Sequence, residues 1–264
     1  MHLIHLSSFD LSLTALLVLI LSILSILFSL CIGRQIIISS IRCAIQLMLI
    51  GMVLKVLFEY IHPLFIGTIA FIMLIVAGRE VMARQRYKFS GVWGFGIGSV
   101  SMFFSSFILT IFALRVVIDV KPWYTPQYSI PLLGMMFGNT MNGIAIGLDQ
   151  LTSESKRQKG VIEARLILGQ SWRRAIEDIR KESIRTAMIP IVNAMAAAGV
   201  VSLPGMMTGQ ILAGAPPVEA VKYQLMIMFL ITAGTGFGVI SAVFIASYRL
   251  FDSRHRLRLD RLKN

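Results

Sequence analysis

Seven long apolar segments restrict the folds open to this chain more than any other feature of its sequence. Most of them reach the roughly 20 residues that an α-helix needs to cross the hydrocarbon core of a bilayer. Charged residues make up only 14% of the 264 positions, whereas a soluble domain has about 25%. We therefore predict an all-α, polytopic protein of the cell (inner or plasma) membrane. Its predicted spans are Leu11–Ile32, Ile41–Tyr60, Leu64–Val81, Val92–Val117, Tyr128–Leu148, Thr186–Ser202 and Val221–Tyr248.

The lysines and arginines fall almost entirely on one side of these spans. If the N-terminus lies outside, 21 of the 25 basic residues belong to segments that face the cytoplasm, and only Lys55, Arg115, Lys121 and Lys222 do not. Cytoplasmic loops of membrane proteins carry such an excess. The pattern predicts seven transmembrane helices with the N-terminus outside and the C-terminus in the cytoplasm. The net charge of +12 then requires no nucleic-acid partner.

One long polar stretch, at about residues 151–185, predicts a cytoplasmic helical hairpin that carries nine of these basic residues. A first helix over Glu154–Leu168 precedes Gly169, which can adopt the left-handed conformation that ends a helix. Ser171 is placed to cap the next helix. Such a hairpin is suited to contact a partner outside the bilayer, or it is a solvated loop that its charges keep in the cytoplasm. The apolar face of the second helix is Trp172, Ala175, Ile176 and Ile179.

Glycines four residues apart predict that several helices pack closely, because such pairs let two backbones approach in lipid. The pairs are Gly94/Gly98, Gly134/Gly138, Gly143/Gly147, Gly205/Gly209 and Gly234/Gly238.

Polar side chains interrupt the apolar segments at a few positions. Intramembrane polar groups tend to face a bundle interior or a cavity. Asn139 and Asn142 are three residues apart and therefore share a helix face. They either line a translocation path or form hydrogen bonds between helices, as neutral amides often do. The positions are Gln46, Asn139, Asn142, Asn193 and Gln210.

The sixth apolar segment ends in an unusual sequence, SLPGMMTGQ at Ser202–Gln210. Pro204 and Gly205 should break or kink a helix there. Irregular backbone at membrane depth persists only where protein or a water-filled cavity satisfies it. The segment is either a gate in the transport path or an ordinary turn at the outer face. The segment includes Met206 and Met207, two of the 15 methionines in the chain. Thioethers suit soft metal ions, but flexible apolar packing is the simpler explanation for so many methionines.

Two of these segments carry a family resemblance. The sequence VVSLPGMMTGQILAG at Val200–Gly214, followed by PVEAVKYQ at Pro217–Gln224, closely resembles the FetB-type permeases of ABC transporters. That family includes bacterial iron exporters and plant proteins linked to aluminium tolerance. Arg42–Gln46 and Arg185–Pro190 also match, and the resemblance covers nearly the whole chain. It implies that residues 1–264 form a single transmembrane permease domain that exports a metal ion, with iron as the first candidate and an organic anion or nucleotide sugar as the alternative.

The resemblance extends to the hairpin. Glu163-Ala-Arg165 followed by Gly169 is similar to the first half of the Glu-Ala-Ala…Gly segment by which ABC importer permeases dock on their ATPase. The glycine-rich GVWGFGIG at Gly91–Gly98 lacks the Gly-Lys-Ser/Thr ending of a phosphate-binding loop. The resemblance therefore implies a permease homodimer with two copies of a separate ATPase, which binds ATP and Mg²⁺, and no cofactor on this chain. The implied ATPase contacts are Glu163, Ala164, Gly169, Gln170, Ser171, Trp172 and Arg173.

The implied translocation pathway combines the polar positions with the proline-glycine segment; metal ligands are not assigned. Its residues are Gln46, Asn139, Asn142, Asn193, Pro204, Gly205, Met206, Met207 and Gln210. An ion-driven secondary carrier would instead need acidic or histidine side chains in mid-membrane, of which the central spans are nearly devoid. An integral membrane enzyme would need a cluster of such groups at one interface. A scaffold protein remains open.

Overall fold

The computed structural model describes residues 7–30, 32–59 and 62–263, which divide into two compact units. The first unit holds α1 (Ser8–Leu27) and α2 (Gly33–Glu59). Helix α1 begins at a capping box, in which the Ser7 hydroxyl accepts from the Asp10 N–H (3.3 Å) and the Asp10 carboxylate accepts from the Ser7 N–H (2.8 Å). A Cβ at Gly33 would lie 2.8 Å from the Ser22 carbonyl oxygen, so the glycine permits close approach of the two helices.

The first unit also includes Leu212–Gly214, and the second unit holds Pro63–Ile211 and the described residues from Ala215 onward. The π-helical segments Phe103–Phe107 and Ala113–Val117 join two shorter helices into one span, Val92–Val117. Two short strands, β1 (Lys88–Phe89) and β2 (Leu262–Lys263), pair antiparallel. The helices are α3 (Pro63–Ala83), α4 (Val92–Met102), α5 (Ile108–Phe112), α6 (Pro126–Arg157), α7 (Lys159–Ile167), α8 (Trp172–Ala175), α9 (Glu177–Ala197), α10 (Gly205–Leu212) and α11 (Pro217–Arg249).

Within the described residues, five helices are long and apolar enough to cross a membrane: α1, α2, α3, Val92–Val117 and α11. The prediction of an all-α polytopic membrane protein is confirmed at this level. The other two predicted spans lie in α6 and α9. The apolar part of α9, residues 186–197, is about 18 Å long, which is shorter than the roughly 30 Å hydrocarbon core. The number seven and the orientation stay predictions, as does the single permease domain.

Helix α11 is the centre of the second unit and packs along α6 and α9. The predicted close contacts occur at Gly143 and Gly238, where a Cβ would lie 2.7 Å from Thr235 Cγ2 and 2.5 Å from Thr140 Cγ2. Gly94 and Gly98 likewise meet α3 and its following loop closely. Gly205 and Gly209, in contrast, face open space in this chain. Only some of the glycine pairs therefore hold this helix bundle together.

The Gly143 contact gives a testable stability difference within one helix. Gly143→Val should destabilise the α6–α11 interface by about 1–3 kcal/mol, because overpacking of a tight contact forces the backbones apart. Gly138→Val, on the same helix with nothing within 4 Å of the new Cβ, is the matched control and should not destabilise the protein. Thermal unfolding in detergent measures both. Equal melting temperatures for Gly143→Val and the wild type would contradict the tight packing.

The helix is interrupted at Pro204, as predicted, but the sixth span ends earlier than predicted. Helix α9 ends at Ala197, five residues before the predicted end, and Gly199 in the following turn has a φ of 85°. Pro204 lies outside a helix, and its carbonyl accepts from the Thr208 N–H (3.1 Å) as α10 begins. A residue that precedes proline is disfavoured in the helical conformation. The chain therefore leaves the helix at a left-handed glycine and restarts after the proline.

Candidate functional site

The hairpin turns at a glycine-terminated helix end. Gly169 has a φ of 83°, its N–H donates to the Leu166 carbonyl (3.0 Å), and the Gln170 N–H donates to the Arg165 carbonyl (3.1 Å). These two hydrogen bonds are those of a Schellman motif, which confirms the predicted left-handed stop. Ser171 occupies the predicted N-cap position of α8, but its hydroxyl makes no capping hydrogen bond; its carbonyl accepts from the N–H groups of the first turn.

The apolar face of the second hairpin helix is confirmed as the inner face. Ala175, Ile176 and Ile179 are buried, and the ring of Trp172 lies 5.5 Å from that of Phe251 and 6.0 Å from that of Tyr248. Trp172, predicted as an ATPase contact, thus braces the hairpin against the end of α11 and the tail. Whether it also contacts an ATPase stays a prediction.

An ion pair closes the two arms of the hairpin. Arg165 Nη2 on α7 lies 2.8 Å from Asp178 Oδ2 on α9, and Arg165 Nη1 donates to the Ala175 carbonyl (3.3 Å). Arg165 is partly buried, but the Asp178 side chain is 70% exposed, so solvent screens the pair and its contribution is about 0–1 kcal/mol. The pair and the Arg165–Ala175 hydrogen bond add to the apolar packing that joins the two arms of the hairpin.

The tip of the hairpin exposes two aliphatic side chains that the sequence did not lead us to predict as contacts. Ile167 is 85% exposed and Leu168 is 81% exposed, and the predicted contacts Gly169, Gln170 and Arg173 are exposed beside them. The sequence signal that could have identified this tip is the pair of large aliphatic residues directly before a helix-ending glycine. The structure shows that the buried side of α7 is formed by Ile162 instead. The predicted residues Glu163 and Ala164 lie one turn earlier, where Glu163 pairs with Lys159 (3.7 Å).

Three segments that were all assigned to the cytoplasm meet at the base of the hairpin. Strand β1 from the α3–α4 connection pairs with β2 of the tail, and the Ser90 N–H donates to the Arg261 carbonyl (2.8 Å). Arg261 Nη1 donates to the Arg249 and Phe251 carbonyls (2.7 and 3.2 Å). The tail also contacts the hairpin through Phe251. These contacts place the loop, the hairpin and the tail at one end of the bundle.

Ion pairs in the tail persist to low pH. Arg258 binds both oxygens of Asp260 (2.8 and 2.7 Å) and lowers the pKa of that carboxyl from 3.8 to about 2. Backbone N–H groups, first that of Arg256, also lower the pKa of Asp252. Because both pKa values are depressed on folding, the stabilisation is complete above the unfolded pKa of about 4 and is lost as the pH falls through the folded pKa, which for Asp260 is about 2. The tail contacts therefore hold throughout the physiological range.

A cavity of about 240 Å³ lies at the opposite end of the bundle. It is formed by the end of the Val92–Val117 span and by the first turns of α6, α10 and α11. Met206 and Gln210, both predicted pathway residues, line it together with Met135, Met226, Tyr128 and Tyr223. Gln210 Oε1 is buried and has no hydrogen-bond partner in the part of the chain that is described. Pro204 and Gly205 lead into α10, and Met207 is buried on the same helix.

The remaining predicted pathway residues are distributed elsewhere. Asn139 donates to the Met135 carbonyl (2.9 Å), and Asn142 accepts from Arg84 Nη1 (3.0 Å). With Met135 they have the spacing of one face of α6, which runs from the cavity toward the hairpin. Asn193 is exposed on α9, and Gln46 is exposed on α2 in the first unit. Of the nine predicted pathway residues, the structure places Met206 and Gln210 at the cavity. Asn139 and Asn142 lie on α6 between the cavity and the hairpin.

Among the described residues, no three or more His, Cys, Asp or Glu side chains lie close enough together to hold a metal ion.

Comparison with known proteins identifies relatives along almost the entire chain. The model of an uncharacterised protein family, UPF0014, matches residues 8–251. A UPF0014 membrane protein of Bacillus subtilis, YjkA, is 34% identical over 94% of this chain and 97% of its own length. The probable iron export permease protein FetB of Escherichia coli is 30% identical over 84% and 83% of the two chains, and ALUMINUM SENSITIVE 3 of Arabidopsis thaliana is 30% identical over 91% and 86%. No solved structure matches. The resemblance inferred from the SLPGMMTGQ segment is confirmed.

Proposed function

We propose that this chain, which belongs to the UPF0014 family of membrane proteins, is the permease subunit of an ABC transporter. It acts as a homodimer in the cell membrane, with two copies of a separate ATPase subunit. The observation that carries this proposal is the hairpin tip, an exposed aliphatic pair at the end of a rigid, basic arm. Exposed apolar side chains rimmed by polar residues mark interaction sites.

The tip has the character of a docking element for a protein. Ile167 and Leu168 supply the apolar centre, and Arg173 and Arg174 follow directly in α8 as a basic rim. Interfaces commonly combine an apolar core with a polar rim that includes arginine. The Schellman turn at Gly169 fixes the pair in one conformation, so little conformational entropy is lost on docking. The arm is thus preorganised for a cleft on an ATPase.

Movement of the docked hairpin has a direct route to the far end of the protein. Helix α6 is 32 residues long, or about 48 Å, and extends from the cavity to the hairpin without a described break. Helix α9 returns from the hairpin, and only the Gly199 turn and Pro204 separate it from α10. Rigid helices with a hinge at each end transmit rigid-body movement. ATP-driven movement of the tip would therefore reshape the cavity.

The polar residues exposed on membrane helices support a second copy of the chain. Asn139 and Asn142 on α6 and Asn193 on α9 are exposed. Although Asn139 and Asn142 each make one hydrogen bond, an amide that faces hydrocarbon with further polar atoms unsatisfied is costly. The turn after α9 also exposes Val200 (91%) and Val201 (82%). A symmetric partner that faces α6 and α9 would cover these groups, and the asparagines would then line a path between the two protomers.

The proposed substrate is a metal ion moved outward, with iron first. The relative FetB bears the name of a probable iron export permease, and that name supports iron here only through the shared family. An organic anion is the alternative. The cavity at the end opposite the hairpin, lined by Met206 and Gln210, would then be the outer end of the path.

Transport in vesicles tests the proposal. We expect inside-out vesicles that contain this chain and its ATPase to accumulate iron several-fold above vesicles with the ATPase alone, and only when ATP is present. Vesicles with a Walker-lysine variant of the ATPase are the control for ATP dependence. Accumulation without ATP would contradict an ABC mechanism, and ATP hydrolysis that the chain stimulates without iron movement would contradict the substrate.

A further inference from the structure

We propose that the cavity at the end of the bundle opposite the hairpin binds a soft monovalent cation, Cu(I) or Ag(I), through the thioethers of Met135, Met206 and Met226. The inference goes beyond the proposed function, because it names a soft ion as a ligand in addition to the proposed iron substrate, and it rests on that function only for the part that the site plays in transport. Binding itself is a property of this chain and is measured without the ATPase.

The three methionines converge from three different helices. Met135 lies on α6, Met206 on α10 and Met226 on α11, and all three line the same cavity of about 240 Å³. Methionines that only fill the core look different in this protein: Met102 and Met136 are both 0% exposed. The sequence pattern alone favoured packing for every methionine. The structure separates these three because each borders the cavity, although Met135 and Met226 also pack against the apolar cluster around Met136 and Ile227.

The donor chemistry of the lining selects a soft ion. Thioethers prefer Cu(I), whereas carboxylates and carbonyls suit hard cations such as Mg²⁺. Of the described residues that line the cavity, none is an aspartate, glutamate, histidine, lysine or arginine. A hard cation would therefore meet no anionic oxygen ligand, and a monovalent cation would meet no positive side chain. The side chain of methionine has three rotatable bonds, so the thioethers can close around an ion in a cavity of this size.

A buried amide oxygen at the cavity is available as a further ligand. Gln210 Oε1 lines the cavity region from α10, one turn after Met206, and has no hydrogen-bond partner in the described part of the chain. A buried polar atom without a partner is costly. A cation held by the thioethers, or a water bound to it, would satisfy this oxygen. The ligand set would then be three sulfur atoms and one amide oxygen.

The position of the site fits the final stage of a transport path. Met135 and Thr152 on α6 are 17 residues apart, or about 26 Å, and Thr152 is already near the hairpin end. The cavity and the hairpin are thus separated by about the thickness of a bilayer core. Because α10 follows the Gly199 turn, the Met206 thioether lies on the segment that hairpin movement would shift. Movement of α10 would separate one thioether from the other two and release the ion.

The test measures, by isothermal titration calorimetry, the binding of Ag⁺ to the purified full-length chain in nanodiscs. Cys31→Ser with Cys43→Ser serves as the background, because Cys43 is exposed and a thiol would also bind silver. We expect one saturable equivalent that is lost in the triple variant Met135→Leu, Met206→Leu, Met226→Leu. Leucine keeps the side-chain volume, so the fold should be retained. The matched control is Met48→Leu, Met52→Leu, Met141→Leu, three methionines that are not among the lining residues of the cavity; this variant should keep the equivalent.

Three outcomes would overturn the proposal: no saturable equivalent in the background protein, an equivalent that survives in the triple cavity variant, or an equal loss in the control variant. X-ray absorption of the Cu(I)-loaded protein should show sulfur neighbours that disappear with the cavity methionines. Fe²⁺ bound at the same site with equal affinity would contradict the selectivity. If ATP-driven transport fails while silver binding follows the methionines, the proposed function is wrong and the site stands. If ATP-driven transport occurs while silver binding does not depend on the methionines, the site is wrong and the proposed function stands.

Discussion

Replacing Ile167 and Leu168 together with aspartate is expected to abolish stimulation of the partner ATPase while the chain remains folded in the membrane. Both side chains are more than four-fifths exposed, so the change costs little in the isolated permease. In the docked complex each aliphatic side chain would contribute about 1.5–3 kcal/mol. Loss of both corresponds to at least about a 100-fold weaker interaction. Co-purification with the ATPase and the ATP hydrolysis rate of the reconstituted pair measure the effect.

Val161→Asp is the matched control for this tip variant. Val161 is half exposed on the same helix, α7, but lies nearly two turns before the tip. Val161→Asp introduces one negative charge into the same arm, where the tip variant introduces two, and should leave the interaction nearly unchanged. Full stimulation by the double tip variant would remove the aliphatic pair from the interface, and equal losses in both variants would indicate a general effect of negative charge on the hairpin.

Trp172→Ala should loosen the hairpin from the bundle without touching its tip. The indole packs on Phe251 and Tyr248, and truncation of a buried aromatic side chain costs about 3–5 kcal/mol. Because Trp172 is only partly buried, the lower end of that range applies. The contact helps to hold the start of the tail, so trypsin should cleave faster at the exposed Arg254 and Arg256. Limited proteolysis in detergent measures the change, and coupled transport should fall with it.

Two further variants show whether the packing of Trp172 is the cause. Trp172→Phe keeps an aromatic ring against Phe251 and should restore most of the protection. Trp123→Ala removes a tryptophan that stacks near Tyr124 and Arg115 outside the hairpin region, and tail cleavage should not change. Unaltered cleavage in Trp172→Ala would mean that the hairpin is held by other contacts, such as the Arg165–Asp178 pair.

The two main variants separate docking from bracing. The tip variant should lose ATPase binding with a protease-resistant tail, whereas Trp172→Ala should retain affinity for the ATPase and transmit its movement poorly. If the Trp172→Ala protein no longer binds the ATPase at all, Trp172 contacts the ATPase directly, as the sequence analysis predicted.

The features that sequence alone determined are those set by local chemistry. Apolar segments of membrane length fix an all-α membrane protein, because each backbone polar group in lipid must be satisfied within a helix. Gly169 ends a helix because a residue without a Cβ tolerates the left-handed conformation. The apolar face of Ala175, Ile176 and Ile179 follows from helical periodicity. Each of these conclusions depends on neighbours within a few residues, and the structure agrees with each.

Other features depended on contacts between segments far apart in the sequence, and only the tertiary structure decided them. The partner of Trp172 is Phe251, nearly 80 residues away, so an amphipathic pattern could show that the indole was on the apolar face but not what covered it. Ile167 and Leu168 are as apolar as the residues of the core, and only the packing of α7 shows that they point outward. Three methionines from α6, α10 and α11 meet because of helix packing, which periodicity along a single helix does not encode.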